Sequence, residues 1–205
     1  MKKFFMIAVM AVAAITASAQ TPEEGEISLT PMVGLTSGGF WGYRFQGVGN
    51  TPDRNGNLGF TVGAELGWMG SNNFKTTVGL HYISSSTEFK FSGVGSDDFK
   101  NDYLAIPILA NYYITNGLAI KAGVQPAFLL SSKLSDSNMD PKEGVEKFDL
   151  TMPLGISYEF SNIVIDARYY FGVSNLVKDN CDIDGFNKLV NGYATITVGY
   201  KFNLK

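Results

Sequence analysis

The sequence predicts an all-β fold, an eight-stranded antiparallel up-and-down transmembrane β-barrel. Three observations carry that expectation. Apolar and polar residues alternate with a period of two along most of the chain, as strands between two different environments require. Only 17% of the 205 residues are charged, while 23 are glycine and 15 phenylalanine, yet mean hydropathy is just +0.03. No apolar run approaches the roughly 18 residues of a membrane-crossing helix; the longest is Phe4 to Ile15. The length suits one domain. A formal charge of −3 and a pI near 5.2 argue against nucleic acid as a partner.

The first 19 residues read as an export signal. Lys2 and Lys3 form a basic start, Phe4 to Ile15 is an apolar stretch too short to span a bilayer, and Ala17-Ser18-Ala19 supplies small residues for cleavage before Gln20. The expected organisation is therefore a signal peptide over 1–19 and a barrel domain over 20–205. With Cys181 the only cysteine, no internal disulfide framework is possible.

Eight alternating segments follow, at 26–36, 58–68, 74–85, 103–113, 118–131, 147–160, 163–174 and 190–203. Each supplies the ~9–11 residues of a tilted membrane strand. In the second, Leu58, Phe60, Val62, Ala64, Leu66 and Trp68 oppose Gly59, Thr61, Gly63, Glu65 and Gly67. In the sixth, Phe148, Leu150, Met152, Leu154, Ile156, Tyr158 and Phe160 oppose Asp149, Thr151, Pro153, Gly155, Ser157 and Glu159. The seventh sets Val164, Asp166, Arg168, Tyr170 and Gly172 on one face, and the last sets Tyr193, Thr195, Thr197, Gly199 and Lys201 against an apolar row. Connections alternate: long at 37–57, 86–102, 132–146 and 175–189, short at 69–73, 114–117 and 161–162. An even strand number with short turns at one end and long loops at the other is the outer-membrane pattern.

Volume decides which face is outside. Eight strands enclose only enough room for side chains to fill, and the aromatic-rich apolar set would overfill it. The other set, with Gly34, Gly63, Gly67, Gly79, Gly123, Gly155, Gly172 and Gly199, fits a narrow lumen. Trp68, Phe74, Tyr112, Tyr158, Tyr200 and Phe202 then form an aromatic girdle at the short-turn end. Pro31, Pro107, Pro126 and Pro153 each remove a ladder hydrogen bond. Bulges are one way to absorb them, and each bulge would exchange inside and outside beyond it.

Three stretches carry resemblances. Thr197-Val198-Gly199-Tyr200-Lys201-Phe202-Asn203-Leu204 resembles the C-terminal signal that hands barrels to the outer-membrane insertion machinery, with Lys205 in place of a terminal aromatic. Asp102-Tyr103-Leu104-Ala105-Ile106-Pro107-Ile108-Leu109 resembles a D-Y-L-x-I-P-L-L strand. Asp166-Ala167-Arg168-Tyr169 with Gly172, Ser174 and Asn175 resembles a D-x-R-Y-x-x-G-x-S-N strand. Together they look like the Bacteroidota outer-membrane barrel family that includes the PorT secretion component, an OmpX-like eight-stranded form. That resemblance implies the outer membrane as location and, for function, an accessory part of a secretion or envelope machine. The family often carries an acidic residue where this chain has Ala105.

Four candidate constellations remain. The inward parity carries Lys75, Lys121, Arg168 and Lys201 against Glu65, Asp149, Glu159 and Asp166. Balanced signs favour a lumen plugged by ion pairs over a selective pore; Arg168 is expected beside Glu65 or Asp149. His81, the only histidine, shares that inward face, but no G-x-S-x-G and no second histidine accompany it, so no enzyme is expected. In loop four, Asn180, Asp182, Asp184 and Gly185 resemble half of a calcium loop, but position twelve is Asn191 rather than Glu, so no metal site or other cofactor is expected. In loop one, Phe40, Trp41, Tyr43, Arg44 and Phe45 among glycines offer rings for a sugar or apolar partner, or else an upper girdle. The expected function is a non-catalytic structural or interaction role through the outer loops. The expected partners are outer-membrane lipid, the insertion machinery, and a surface glycan or envelope protein.

Overall fold

In lipid every backbone amide must find a partner inside the protein, and a sheet satisfies that only by closing on itself. The computed structural model describes residues 23–41, 53–91, 95–134, 147–174 and 190–204, with the backbone alone at 38–41, 53–57, 86–91, 95–100, 132–134 and 190–191. The expected signal peptide lies outside the described residues. The strands are β1 (Ile27–Trp41), β2 (Asp53–Ser71), β3 (Phe74–Phe91), β4 (Gly95–Ala105), β5 (Ile108–Thr115), β6 (Leu118–Leu134), β7 (Phe148–Phe160), β8 (Ile163–Gly172), β9 (Val190–Tyr200) and β10 (Phe202–Asn203). Two pairs are single staves with an interruption, β4 with β5 and β9 with β10, so the wall has eight staves. Neighbours pair antiparallel in chain order, and β1 pairs with β2 on one side and with β9 and β10 on the other, which closes the barrel.

The prolines do not form bulges. Pro31 pairs with Ala64, Pro126 with Leu150 and Pro153 with Tyr170, all in unbroken register. The β4/β5 interruption contains Pro107, and the β9/β10 interruption at Lys201 falls where the pairing with β1 skips Thr30 and Pro31, the latter with no amide hydrogen to offer. The carbonyls that prolines retain still serve the ladder: Gly79 N–H donates to Pro107 O at 2.9 Å and Ile106 N–H to Pro126 O at 2.9 Å. Gly79 also makes room for the ring, since a Cβ there would lie 3.0 Å from Pro107 Cγ. Register shifts occur instead between Asn57 and Phe60, Met69 and Ser71, Asp102 and Tyr103, and Tyr113 and Thr115. The inside/outside assignment therefore passes through all four prolines unchanged.

The apolar parity faces outward. Leu35, Leu66, Leu80, Leu154, Ile156 and Ile196 are exposed, while Thr61, Glu65, Gln125, Asp149, Asp166 and Arg168 are buried inside. Trp68, Phe74, Tyr112, Tyr200 and Phe202 are exposed at the short-turn end; Tyr158, expected with them, is half-buried. Phe60, Phe128, Phe148 and Phe171 form the matching band toward the long-loop end.

The strands overrun their expected ends on the long-loop side. The expected connection 37–57 shrinks to 42–52, and 86–102 shrinks to 92–94 because β3 and β4 pair as far as Phe91 with Gly95. Alternation marks a strand only where its two faces meet different surroundings. The added residues 38–41, 53–57 and 95–101 carry none, whereas Phe89 and Phe91 alternate with Glu88 and Lys90.

Candidate functional site

Period-two geometry aims every second side chain at the barrel axis, and the lumen fills in three layers. Nearest the short turns, Glu159 of β7 is a hub. Lys201 Nζ lies 3.0 Å from its Oε2, Lys75 Nζ lies 3.6 Å from its Oε1, and Tyr113 Oη donates to Oε1. Lys201 also reaches Glu26 Oε1 at 3.3 Å. Met69, Tyr113 and Ala119 pack together in this layer.

Glu65 of β2 is the hub of the middle layer. Arg168 Nη1 donates to its Oε1 at 2.5 Å, His81 Nε2 lies 3.5 Å from Oε1, and Lys121 Nζ is 4.0 Å from Oε2. Arg168 turns its other edge to Asp166, two residues back on the same face of β8. Nη2 donates to Oδ2 at 3.0 Å, and Nε makes an ion pair with Oδ1 at 2.7 Å without hydrogen-bond geometry. Lys121 donates to Asp166 Oδ2 at 2.6 Å. Glu65 and Arg168 are only 3% and 4% exposed, so their mutual contact replaces the hydration that burial removes.

Inward glycines supply the space these side chains need. A Cβ at Gly67 would lie 2.3 Å from Lys75 Cε, at Gly63 2.4 Å from His81 Cδ2, at Gly79 2.9 Å from Glu65 Cγ, and at Gly155 2.8 Å from Arg168 Cγ. The glycines thus seat particular partners of the network as well as narrowing the lumen.

Toward the long loops the filling changes character. Ile83, Tyr103, Ala105, Ala127, Tyr170 and Tyr193 form one buried cluster, with the Tyr170 and Tyr193 rings stacked 4.4 Å apart. Gln125 Nε2 donates to Tyr193 Oη at 2.5 Å. Asp149 belongs to this layer: Ser174 Oγ donates to its Oδ1 at 2.7 Å, and Leu150 N–H donates to Ser174 Oγ at 2.9 Å. The carboxylates beside Arg168 are therefore Glu65 and Asp166, while Asp149, expected there on sequence grounds, is held a layer away by Ser174.

Of the eight inward charges singled out above, the structure brings Glu65, Lys121, Asp166 and Arg168 into one group and Lys75, Glu159 and Lys201 into another. Glu26 completes the second group and gives each group two acids and two bases. Sequence reasoning missed Glu26, Tyr113 and the tyrosine layer. Inward parity was the available signal for Tyr103, Tyr113, Tyr170 and Tyr193. In loop one the backbones of Phe40 and Trp41 extend β1, opposite Asn191 and Val190. Tyr43, Arg44, Asn180, Asp182 and Asp184 lie outside the described residues. Among the described residues no cluster of three or more His, Cys, Asp or Glu is placed to hold a metal ion.

A family model described as an outer membrane protein beta-barrel domain matches residues 19–178. Among solved structures the chain is similar to the outer membrane protein OprG from Pseudomonas aeruginosa, at 13% identity and a TM-score of 0.50, over 89% of this chain and 99% of that one. It is also similar to Neisserial surface protein A, at 14% identity, a TM-score of 0.48, and coverage of 87% and 98%. Ail, the attachment invasion locus protein of Yersinia pestis, gives 17% identity, a TM-score of 0.47, and coverage of 87% and 99%. At such identities the likeness is one of fold. No curated protein matches the chain.

Proposed function

The chain belongs to the outer-membrane protein β-barrel domain family, and from that premise we propose a non-catalytic, non-conducting scaffold that acts through its extracellular loops. One observation carries this reading. Two charge-balanced groups and a buried tyrosine layer fill the lumen. An ion entering that interior would have to displace desolvated ion pairs that have no other partner of their strength. A filled interior leaves the rim to meet other molecules, and loops on rigid scaffolds commonly carry function.

In this reading the protein reaches the outer membrane after cleavage before Gln20, and Thr197 to Leu204 present it to the insertion machinery. The Bacteroidota affiliation rests on the two strand motifs. In the barrel the tyrosine, arginine and serine of those motifs do structural work: Tyr103 packs in the upper layer, Arg168 bridges two carboxylates, and Ser174 holds Asp149. A PorT-like accessory role would act mainly at the periplasmic face. There the turns between β2 and β3, β5 and β6, and β7 and β8 are only 72–73, 116–117 and 161–162, which favours the outer loops instead.

Loop one is the binding candidate, through Phe40, Trp41, Tyr43 and Arg44 toward a surface glycan or an envelope protein. Aromatic stacking contributes about 1 kcal/mol per ring. Trp41→Ala with Tyr43→Ala is expected to leave insertion and heat-modifiable migration intact and to weaken binding about tenfold or more. The test is a glycan and envelope-protein binding screen of wild type against that variant, with Asp182→Ala and Asp184→Ala in loop four as control. Loss of binding in the control alone would assign the rings to the girdle and the contact to loop four.

A further inference from the structure

Among the described residues no ion pair or hydrogen bond joins the two charge groups, and a small cavity lies between them. Its walls include Glu65 and Lys121 of the middle group, Lys75, Tyr113 and Glu159 of the lower group, and Asn111 of β5. The space open to the centre of a water molecule is about 10 Å³, roughly the room that one water requires. Asn111 is 1% exposed. Its Nδ2 donates to Lys75 O at 2.9 Å and to Thr77 Oγ1 at 3.3 Å, while its Oδ1 has no hydrogen-bond partner among the described residues.

We infer that this cavity is a binding site for a single ordered water, which donates to Asn111 Oδ1 and accepts from a lysine ammonium. The chemistry of the walls selects the occupant. Asn111 Oδ1 demands a donor, and Lys75 and Lys121 demand an acceptor. Chloride accepts but cannot donate. A sodium ion would face two ammonium groups. Water does both and fits the volume.

The inference rests on the lumen being closed, and the two fail differently. Stable conductance steps in a planar bilayer would break the closed-lumen reading; a non-conducting barrel with a dry cavity would break only this one. The decisive measurement is a high-resolution crystal structure of the wild-type barrel with a bromide-soaked companion. A peak within hydrogen-bond distance of Asn111 Oδ1, with no anomalous bromide signal, is expected. No peak, or a bromide peak, overturns the inference. Nuclear Overhauser contact between a long-lived water and the Asn111 side chain, in wild type in nanodiscs, is a second readout needing no variant; its absence also counts against the site. Asn111→Leu, where it folds, should lose the water signal.

Discussion

Glu65 and Glu159 are two buried glutamates, each with three ion-pair or hydrogen-bond partners, in different surroundings. Glu65 sits mid-barrel against a guanidinium that also grips Asp166, with the tyrosine layer on one side and the lower group on the other. Glu159 sits near the short turns and is held by two lysines and a phenol, with half-buried Glu26 at the edge of its group. Mid-barrel is far from water in both directions, so its charges depend on a rigid planar fork that satisfies two carboxylates at once. Near the barrel end, Glu159, Lys75 and Lys201 are equally buried, but their group reaches half-buried Glu26 at its edge, and flexible ammonium groups suffice. The difference predicts a gradient: a lost partner costs most at the centre and less toward the periplasm.

The largest effect is expected from Arg168→Met. It leaves Glu65 with Lys121 at 4.0 Å and His81 at 3.5 Å as its remaining neighbours. Removing one member of a buried pair costs about 3–5 kcal/mol. Denaturant unfolding of the barrel in detergent micelles should show a loss of that size, and adding Glu65→Gln should recover part of it by removing the stranded charge. A loss within error of zero would mean that the middle group is hydrated, and the gradient would collapse.

Lys201→Met comes next. It removes a contact to Glu159 at 3.0 Å and one to Glu26 at 3.3 Å, but Lys75 and Tyr113 still hold Glu159. The expected cost is about 1–3 kcal/mol, the range for a buried group that loses one partner. The same unfolding assay checks it. A cost equal to that of Arg168→Met would show that the barrel end is as closed to water as its centre.

The middle group was more legible in the sequence than the lower one, and the reason is geometric. Asp166 and Arg168 are two apart on a strand, so parity alone places them on one face. Barrel closure then requires inward charges from other staves to meet them, but parity does not set height along the axis. Asp149 shows this limit: it shares the inward face with Arg168, yet stands a layer away with Ser174. Glu26 was overlooked although it opens the first alternating run and shares the inward parity of Ser28 and Thr30; as the run's end residue it has no alternating neighbour before it to fix its direction. Tyr113 was hidden beside Tyr112. The two are adjacent, one exposed to lipid and one buried under Glu159, and only their parity separates a girdle ring from a network donor. Most of the strand extensions were invisible because residues such as 53–57 and 95–101 carry no alternation of apolar and polar side chains.

The smallest effect sharpens the comparison most. Tyr113 both packs and donates: its ring lies with Met69 and Ala119, and its hydroxyl donates to Glu159. Tyr113→Phe keeps the ring and removes only the hydrogen bond. Glu159 retains both lysines, which can draw closer as long, flexible chains do. The expected cost is then about 1 kcal/mol, near the net value of an ordinary hydrogen bond and below the range for one to an unrelieved charge. The same change combined with Lys201→Met tests that compensation. If the lysines relieve Glu159, the pair of changes should cost more than the sum of the singles, because each removes the other's substitute. A strictly additive pair would mean that the lower group does not adjust, and that its lysines are held as rigidly as the Arg168 guanidinium at the centre.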